Sequence, residues 1–427
     1  RAQRVAGRLR HGTVWINDYN TYLPQAEWGG FPREGRGDLI WENEVWVAPA
    51  KGGAGRSLTR ALDRNLFGAQ WMPDGKSLLI AGNDRTSVGA WIQPLDGPAR
   101  HLDLGDLVIN GAFGYDIAVA EKSPVIAFTA TAPNRPSELY VMDAPTGKPR
   151  RLTDFNAWAQ DVAWGGMERV TWKSENFESD GVLVLPPGYS KSKQYPLVLL
   201  VHGGPQSASK LQFSALAQLM AAQGWVVFQP NYRGSDNLGN EYMAAIVGDA
   251  GAGPGRDVMT GVAMLRKRSY VDPKRTAVTG WSYGGYMTSW LISNYPEEWQ
   301  AAMAGAPVTS WEDQYNYGDG SITVRYLFGG SPWTDGRIQA YRDQSPITYA
   351  TKIKTPTLVM SNMEDFRVPP TQAFMLYRAM KDNGVETEFI GFRGRTHASA
   401  DPVNSRERAR LWVDWVKRHL PGSTSVP

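Results

Sequence analysis

The segment from Arg275 to Trp290 has the sequence RTAVTGWSYGGYMTSW and places one small hydroxyl, Ser282, between Gly280 and Gly284. The residues before Gly280 are typical of a β-strand, and those after Gly284 are typical of a helix. A Gly-x-Ser-x-Gly pattern at a sharp strand-to-helix turn is a nucleophile elbow, which holds the serine hydroxyl up at the end of a sheet. Glycines are needed there because the turn is strained and passes close to neighbouring strands. The segment therefore predicts an α/β fold with a nucleophilic serine.

The region around this segment, residues 173–427, alternates between strand and helix patterns. Strands are predicted at 181–186, 196–201, 225–230, 275–280, 355–361 and 387–392, and helices at 211–223, 256–268, 284–294, 371–383 and 404–419. Such alternation builds a mostly parallel sheet that is covered by helices on both faces. We therefore expect an α/β-hydrolase catalytic domain over 173–427, with functional groups at the carboxyl ends of the strands.

Residues 39–172 have a different sequence pattern. Short segments in which polar and apolar residues alternate are separated by turn residues. A similar unit occurs three times, as VWVAPAKGGAGRSLT from Val45, AWIQPLDGPARHLDL from Ala90 and LYVMDAPTGKPRRLT from Leu139. A period of about 45 residues with four short strands is typical of propeller blades, although a small β-sandwich is an alternative. We predict a partial β-propeller of about three blades. Because three blades leave open sheet edges, we expect an open route to the site and homo-oligomer contacts through those edges.

The first 38 residues show neither the short alternating segments of 39–172 nor the strand–helix alternation of 173–427. Their GTVWIN stretch and the glycine-rich tail after it resemble the C-terminal end of aldehyde dehydrogenases, and an ordinary β-rich lead-in is the alternative. With this resemblance, residues 1–38 would be a fusion remnant without dehydrogenase chemistry, since that family uses a cysteine and the chain has none. The chain opens RAQRVAG without an initiator methionine, which suggests a cut rather than a natural start.

A nucleophilic serine needs a base and a carboxylate that orients it. His397 lies in a loop just after the predicted strand 387–392, which is the position of the base in the chain order Ser, Asp, His. The acid should lie between Ser282 and His397 after a strand, where Glu364 and Asp365 are neighbours. We prefer Asp365, because the following DFRVP sequence makes a proline-fixed turn, and we interpret Glu364 as a solvated loop charge.

An acyl-transfer site also needs donors for the oxyanion. The amide of Tyr283, the residue after the nucleophile, is one candidate, and the glycine-rich loop LLVHGGPQS at 199–207 is the other source. The motifs VHGGP, PNYRGS, GWSYGGYMT, EDFRVPP and THAS together resemble the prolyl oligopeptidase family of serine peptidases, with acylaminoacyl and dipeptidyl peptidases as the most similar members. The resemblance implies a triad of Ser282, Asp365 and His397. It also implies oxyanion amides at Gly204 and Tyr283, and a place for Arg233 in the substrate-binding region.

Three functions are compatible with these residues. The first is a serine peptidase that acts on short or N-blocked peptides, and the second is a carboxylesterase that uses the same acyl-enzyme chemistry on small esters. The third is a non-catalytic fragment whose propeller is a binding surface, against which the complete triad argues. No paired-glutamate motif of the kind that anchors a peptide amino terminus is recognisable, which makes strict exopeptidase behaviour doubtful.

Composition excludes several other functions. The net charge of +3 gives no electrostatic case for nucleic acid, and the longest apolar runs are too short to span a membrane. No cysteine, phosphate loop or metal-ligand cluster is recognisable, so we expect neither a cofactor nor a metal; the glycines of GAGPG at 251–255 lack dinucleotide spacing. No signal peptide is recognisable either, which favours a cytoplasmic location without fixing it.

Overall fold

The computed structural model describes residues 43–49, 54–111, 114–334, 336–394, 396–398 and 401–420, and the backbone of the strand Thr13–Ile16. The chain divides into two compact units. One is formed by the described residues up to Asp161 together with Asp236–Met243, and the other by Val162–Ser235 and the residues from Ala244 onward. The predicted domain limits of 39–172 and 173–427 remain a prediction.

The first unit consists of antiparallel sheets. Its strands are β1 Thr13–Ile16, β2 Val45–Ala48, β3 Arg56–Ser57, β4 Leu66–Trp71, β5 Ser77–Asp84, β6 Ser87–Pro94, β7 Arg100–His101, β8 Val108–Ile109, β9 Ile117–Val119, β10 Ile126–Ala132, β11 Arg135–Met142 and β12 Arg150–Arg151. They form sheets of the order β1-β2-β3, β4-β5-β6-β7 and β12-β11-β10-β8, with β9 also paired to β10. Each of the three sequence repeats is a hairpin of one longer strand and one two-residue strand: β2 with β3, β6 with β7, and β11 with β12.

The strand β5 explains why these sheets stack as blades. Leu78 and Ile80 pack against Val45 in one cluster, whereas Leu79 and Ala81 pack with residues of β10 in another. Alternate side chains of a strand point to opposite faces, so β5 is buried on both faces between neighbouring sheets. The partial propeller that the repeats predicted is confirmed.

The first 38 residues are described only as the backbone of β1, which pairs antiparallel with β2, Val14 lying opposite Val47. The rest of the segment with the aldehyde dehydrogenase resemblance lies outside the described residues.

The second unit contains one eight-stranded sheet. Its strands are β13 Met167–Ser174, β14 Phe177–Val184, β15 Tyr195–Val201, β16 Val226–Pro230, β17 Val271–Trp281, β18 Ala301–Gly305, β19 Thr357–Asn362 and β20 Thr387–Phe392. Their order is β13-β14-β16-β15-β17-β18-β19-β20, parallel from β16 to β20 and antiparallel at β13 and β14. The sheet is thus the α/β-hydrolase domain that the sequence predicted, with β17 near its centre.

Helices cover this sheet and bury its apolar side chains. The helices of the chain are α1 Ala215–Ala221, α2 Asn240–Ala244, α3 Ala252–Leu265, α4 Tyr283–Asn294, α5 Trp311–Tyr317, α6 Ser321–Leu327, α7 Ile338–Asp343, α8 Pro370–Asp382 and α9 Pro402–His419, with 3-10 turns at Arg60–Leu62, Ala157–Asp161 and Pro346–Lys352. Trp412 and Trp415 of α9 pack in one buried cluster with Val198, Ala277 and Met303 of the sheet. None of the described helices is long and apolar enough to cross a membrane.

The six predicted strands and five predicted helices of this unit are present, with ends that shift by a few residues. Sequence analysis missed β18, because its AAMAG sequence has no β-branched or aromatic residue. Strand β13, which crosses the predicted limit at residue 172, pairs with β14 in the large sheet. The GAGPG stretch lies at the start of helix α3.

Candidate active site

The elbow at Ser282 is strained and closely packed. Ser282 has φ 63° and ψ −124° between β17 and α4, a conformation that L-residues rarely adopt, and its N–H donates to the Gly305 carbonyl at 2.9 Å. A Cβ at Gly280 would lie 2.4 Å from the Gly284 carbonyl oxygen, and one at Gly284 would lie 2.1 Å from the Val201 carbonyl oxygen. These distances are shorter than any real Cβ contact. The glycines of the motif are therefore needed so that the turn fits against β15 and its own strand.

The loop after β15 passes beside the serine. A Cβ at Gly203 would lie 3.2 Å from Ser282 Cβ and 3.7 Å from Ser282 Oγ. Gly204 has φ 121° and precedes Pro205, which has no N–H to donate. In the loop after β15, the glycine amides can therefore donate hydrogen bonds to a group bound at Ser282. On the other side, Tyr283 begins helix α4, and the N-terminus of a helix favours negative charge. The oxyanion roles of Gly204 and Tyr283 remain predictions.

Asp365 and His397 lie in contact after the neighbouring strands β19 and β20. Asp365 is fully buried, and its Oδ2 lies 2.6 Å from His397 Nδ1. Its other oxygen, Oδ1, accepts the N–H groups of Arg367 at 2.8 Å and Val368 at 3.0 Å. Its neighbour Glu364 is exposed. The carboxylate beside the histidine is thus the residue that the sequence favoured.

The imidazole of His397 has one partnered and one unpartnered nitrogen. A carboxylate accepts hydrogen bonds, so the tautomer that matches this contact has its N–H at Nδ1, and in that tautomer Nε2 is an acceptor. Nε2 is buried and has no hydrogen-bond partner among the described residues. A buried acceptor without a partner is costly, which is expected where that atom has chemistry to perform.

Two side chains that sequence analysis missed hold the loop that carries His397. Asn362 Nδ2 donates to the Thr396 carbonyl at 2.7 Å and to the His397 carbonyl at 3.2 Å. Trp281 Nε1 donates to the same His397 carbonyl at 3.2 Å. Trp281 sits inside the elbow motif, so its position was a usable signal, whereas nothing in the sequence around Asn362 pointed to this contact.

His202, of the VHGGP motif, has a different environment. Its ring stacks on Tyr232 with centroids 4.4 Å apart, and its Nε2 lies 3.0 Å from Ser235 Oγ. Burial lowers the pKa of His202 to about 4, so this imidazole is neutral at physiological pH.

Arg233 is engaged by two carboxylates. Its Nε and Nη2 donate to Asp257 at 2.9 and 2.7 Å, and Nη2 also lies 2.8 Å from Glu175. Hydrogen bonding to Asp257 raises the pKa of Arg233 above its usual value. These contacts fix the loop after β16, and a direct contact of Arg233 with substrate remains a prediction.

The fold and the order of these residues define the class of the protein: Ser282, Asp365 and His397 follow three parallel strands in chain order, as in an α/β hydrolase. Among the described residues, no group of three or more His, Asp or Glu side chains could hold a metal ion. Residues 211–423 match the sequence profile of the prolyl oligopeptidase family, and the chain belongs to this family.

Individual relatives agree with this assignment. The chain is 26% identical to dipeptidyl-peptidase 5 of Porphyromonas gingivalis over 96% of its own length and 60% of that protein. It is 29% identical to the human acylamino-acid-releasing enzyme over 61% of the chain and 37% of that enzyme. The structure of Pyrococcus horikoshii acylaminoacyl peptidase matches with a TM-score of 0.79 and 25% identity, over 89% of this chain and 60% of that one. The chain thus spans about three fifths or less of these relatives. No comparison supports the aldehyde dehydrogenase resemblance.

Proposed function

We propose that the protein is a serine hydrolase that cleaves short or N-blocked peptides through an acyl-enzyme at Ser282. The observation that carries the proposal is the pairing of His397 Nδ1 with buried Asp365, which leaves Nε2 as the acceptor for a proton. Ser282 lies at an elbow whose strained backbone presents the hydroxyl at the end of the central strand.

The proposed reaction has two halves. His397 Nε2 takes the proton of Ser282 Oγ as that oxygen attacks the substrate carbonyl, and the amides of Gly204 and Tyr283 donate to the resulting oxyanion. The carbon–nitrogen bond then breaks, and His397 gives its proton to the departing amine. Water, activated by the same imidazole, attacks the acyl-enzyme and releases the acid together with Ser282.

The substrate class follows from the relatives by analogy. Enzymes that are named for the release of acylamino acids and of dipeptides match the chain over much of its length, which supports peptides with a blocked or short amino-terminal part. The carboxylesterase hypothesis uses the same residues, and it differs in predicting that amide bonds are cleaved poorly.

The test compares an N-acylated amino-acid anilide with the nitrophenyl ester of the same acyl group. We expect the purified protein to hydrolyse both, and Ser282→Ala to lower kcat by at least about 10³-fold on each, because binding and oxyanion donors alone give limited catalysis. A variant that keeps a tenth of the wild-type kcat would show that Ser282 is not the nucleophile. Ester hydrolysis without measurable anilide hydrolysis would favour the carboxylesterase.

A further inference from the structure

A cavity of about 560 Å³ lies inside the catalytic unit, beside the residues described above. Its walls come from the loop after β15, from β16 and from helix α9. They include Gly203, which lies against Ser282, and Trp281 and Ala398, which precede Ser282 and follow His397 in the chain. This volume is in the range of pockets that hold small ligands. Residues next to the proposed nucleophile and to the proposed base therefore line the cavity.

The charges around the cavity have one sign. Lys210 and Arg408 line it, and its described walls contain no Asp or Glu. Lys210 is buried and Arg408 is partly buried. The guanidinium of Arg408 lies 4.6 Å from the centroid of the Trp281 ring, and no carboxylate among the described residues forms an ion pair with it.

The environment of Arg408 is unusual for an arginine. Burial lowers the pKa of Arg408 below its usual value, because the guanidinium has lost part of its water without gaining a carboxylate. Arginine nevertheless stays protonated, so the cavity keeps a poorly solvated positive charge. Such a charge is stabilised most by an anion that binds to it.

The polar groups of the cavity residues point to the same kind of ligand. The lining also includes the hydroxyl residues Ser207, Ser209, Ser214 and Ser405. Hydroxyl groups can donate hydrogen bonds to an anion, as the two cationic side chains can. Leu200 and Leu216 add apolar walls. A carboxylate on a small, partly apolar group would complement this lining.

The side of the cavity indicates which part of the substrate it holds. In the proposed reaction His397 protonates the departing amine, so the leaving portion of the substrate lies next to His397. Ala398, which follows His397, lines the cavity together with Trp281, whose Nε1 donates to the His397 carbonyl, and this puts the cavity at that side. We infer that the cavity binds the free carboxylate of the leaving portion, so that preferred substrates are peptides whose C-terminal carboxylate lies one or two residues after the cleaved bond. This inference rests on the proposed function.

The test uses pairs of N-acetylated alanine peptides that end in a free carboxylate or in an amide, with the cleaved bond identified by mass spectrometry. Since charge-assisted hydrogen bonds to a carboxylate are strong, we expect the wild-type kcat/KM to be at least about tenfold higher for the acid than for the amide. Arg408→Gln should reduce this ratio to within about twofold of unity, and Arg408→Lys should keep part of it.

The matched control is Arg410→Gln. Arg410 lies on the same helix, but its side chain is about half exposed and is paired with Glu407 and Asp414. This variant should keep the wild-type ratio. The acid-to-amide ratio of kcat/KM is taken within each variant. A variant that loses activity equally on both substrates therefore keeps its ratio.

A nitrophenyl ester, whose leaving group has no carboxylate, separates the two proposals. Wild-type protein that hydrolyses the ester and the peptides but shows an acid-to-amide ratio near unity overturns the inference and leaves the proposed function intact. The same holds if Arg408→Gln keeps the full wild-type ratio. Protein that hydrolyses neither the ester nor the peptides contradicts both proposals.

Discussion

The elbow at Ser282 and the loop that carries His397 are joined by the hydrogen bond from Trp281 to the His397 carbonyl, but they are held in different ways. The elbow is fixed by its backbone, since Gly280 and Gly284 leave no room for a Cβ and Ser282 has a positive φ. The His397 loop is fixed by side chains, with Asn362 and Trp281 bound to its carbonyls and Asp365 bound to its ring.

This difference has a consequence for sequence and for mutation. Backbone contacts restrict which residues fit within a short stretch, so they leave a local pattern such as Gly-x-Ser-x-Gly. Side-chain contacts from distant parts of the chain leave no such pattern. We therefore expect almost every substitution at the glycines of the elbow to lower the stability of the protein. Substitutions around the His397 loop should instead lower the catalytic rate, each by a different amount.

The largest effect is expected at Asp365, the carboxylate that contacts the ring of His397. Asp365→Asn should lower kcat by about 10⁴-fold, because an amide favours the wrong histidine tautomer and cannot stabilise the imidazolium. Glu364→Gln is the matched control and should cost little, since Glu364 is exposed. Steady-state hydrolysis of the nitrophenyl ester measures the kcat of both variants. A large loss for Glu364→Gln and a small one for Asp365→Asn would mean that Glu364 is the acid of the triad.

A methyl group added to a glycine of the elbow should lower the stability of the protein, whereas the Asp365 variant loses activity. Gly284→Ala would put a Cβ 2.1 Å from the Val201 carbonyl oxygen, and we expect a loss of about 3 kcal/mol in the free energy of unfolding. Gly166→Ala is the control, because a Cβ there meets nothing within 4 Å. Urea unfolding measures the difference. Equal midpoints for the two variants would mean that the elbow is not fixed by close packing.

The loop beside the elbow carries a histidine whose effect depends on pH. The pKa of His202 is about 4 in the folded protein, below its ordinary value of 6.5, so the unfolded chain binds a proton that the folded chain does not. Stability should therefore be complete above about pH 6.5 and fall as the pH drops toward 4. At pH 5 this loss is about 2 kcal/mol relative to pH 7.

The variant His202→Gln should lose about 2 kcal/mol less free energy of unfolding between pH 7 and pH 5 than the wild type does, whatever the stability of the variant at pH 7. Urea unfolding of both proteins at pH 7 and pH 5 gives the comparison. If the two proteins lose the same free energy of unfolding between these pH values, the assignment of a neutral His202 to the folded protein is wrong.

The smallest effect is expected at Asn362, which acts on His397 only through the backbone of its loop. Asn362→Ala should lower kcat by about tenfold with little change in KM, since an oriented base loses alignment while substrate binding is retained. Asn383→Ala, which removes an exposed asparagine that donates to the Ala379 carbonyl, is the control and should leave both constants unchanged. A rise in KM at constant kcat for Asn362→Ala would contradict a positioning role.

The same contrast explains what could be predicted from sequence. The turn at Ser282, the strand and helix order and the blade repeats follow local patterns. The fold predictions are confirmed, and the structure contains the turn, while the role of Ser282 as nucleophile stays a prediction. Strand β18 was missed because AAMAG has no strand-forming residues, yet it is held between β17 and β19. Asn362 was missed because its contact with Thr396 joins residues that only the folded sheet brings together. The resemblance of residues 1–38 rested on a short match without further support.

The most direct measurement of the central claim is labelling with a fluorophosphonate, which reacts with activated serines, followed by peptide mapping. We predict one adduct, on the peptide that contains Ser282, and its absence in Ser282→Ala. Asp365→Asn should label much more slowly than wild type, because activation depends on the His397 base. Labelling at another serine, or undiminished labelling of Ser282→Ala, would contradict the assignment of Ser282 as the nucleophile.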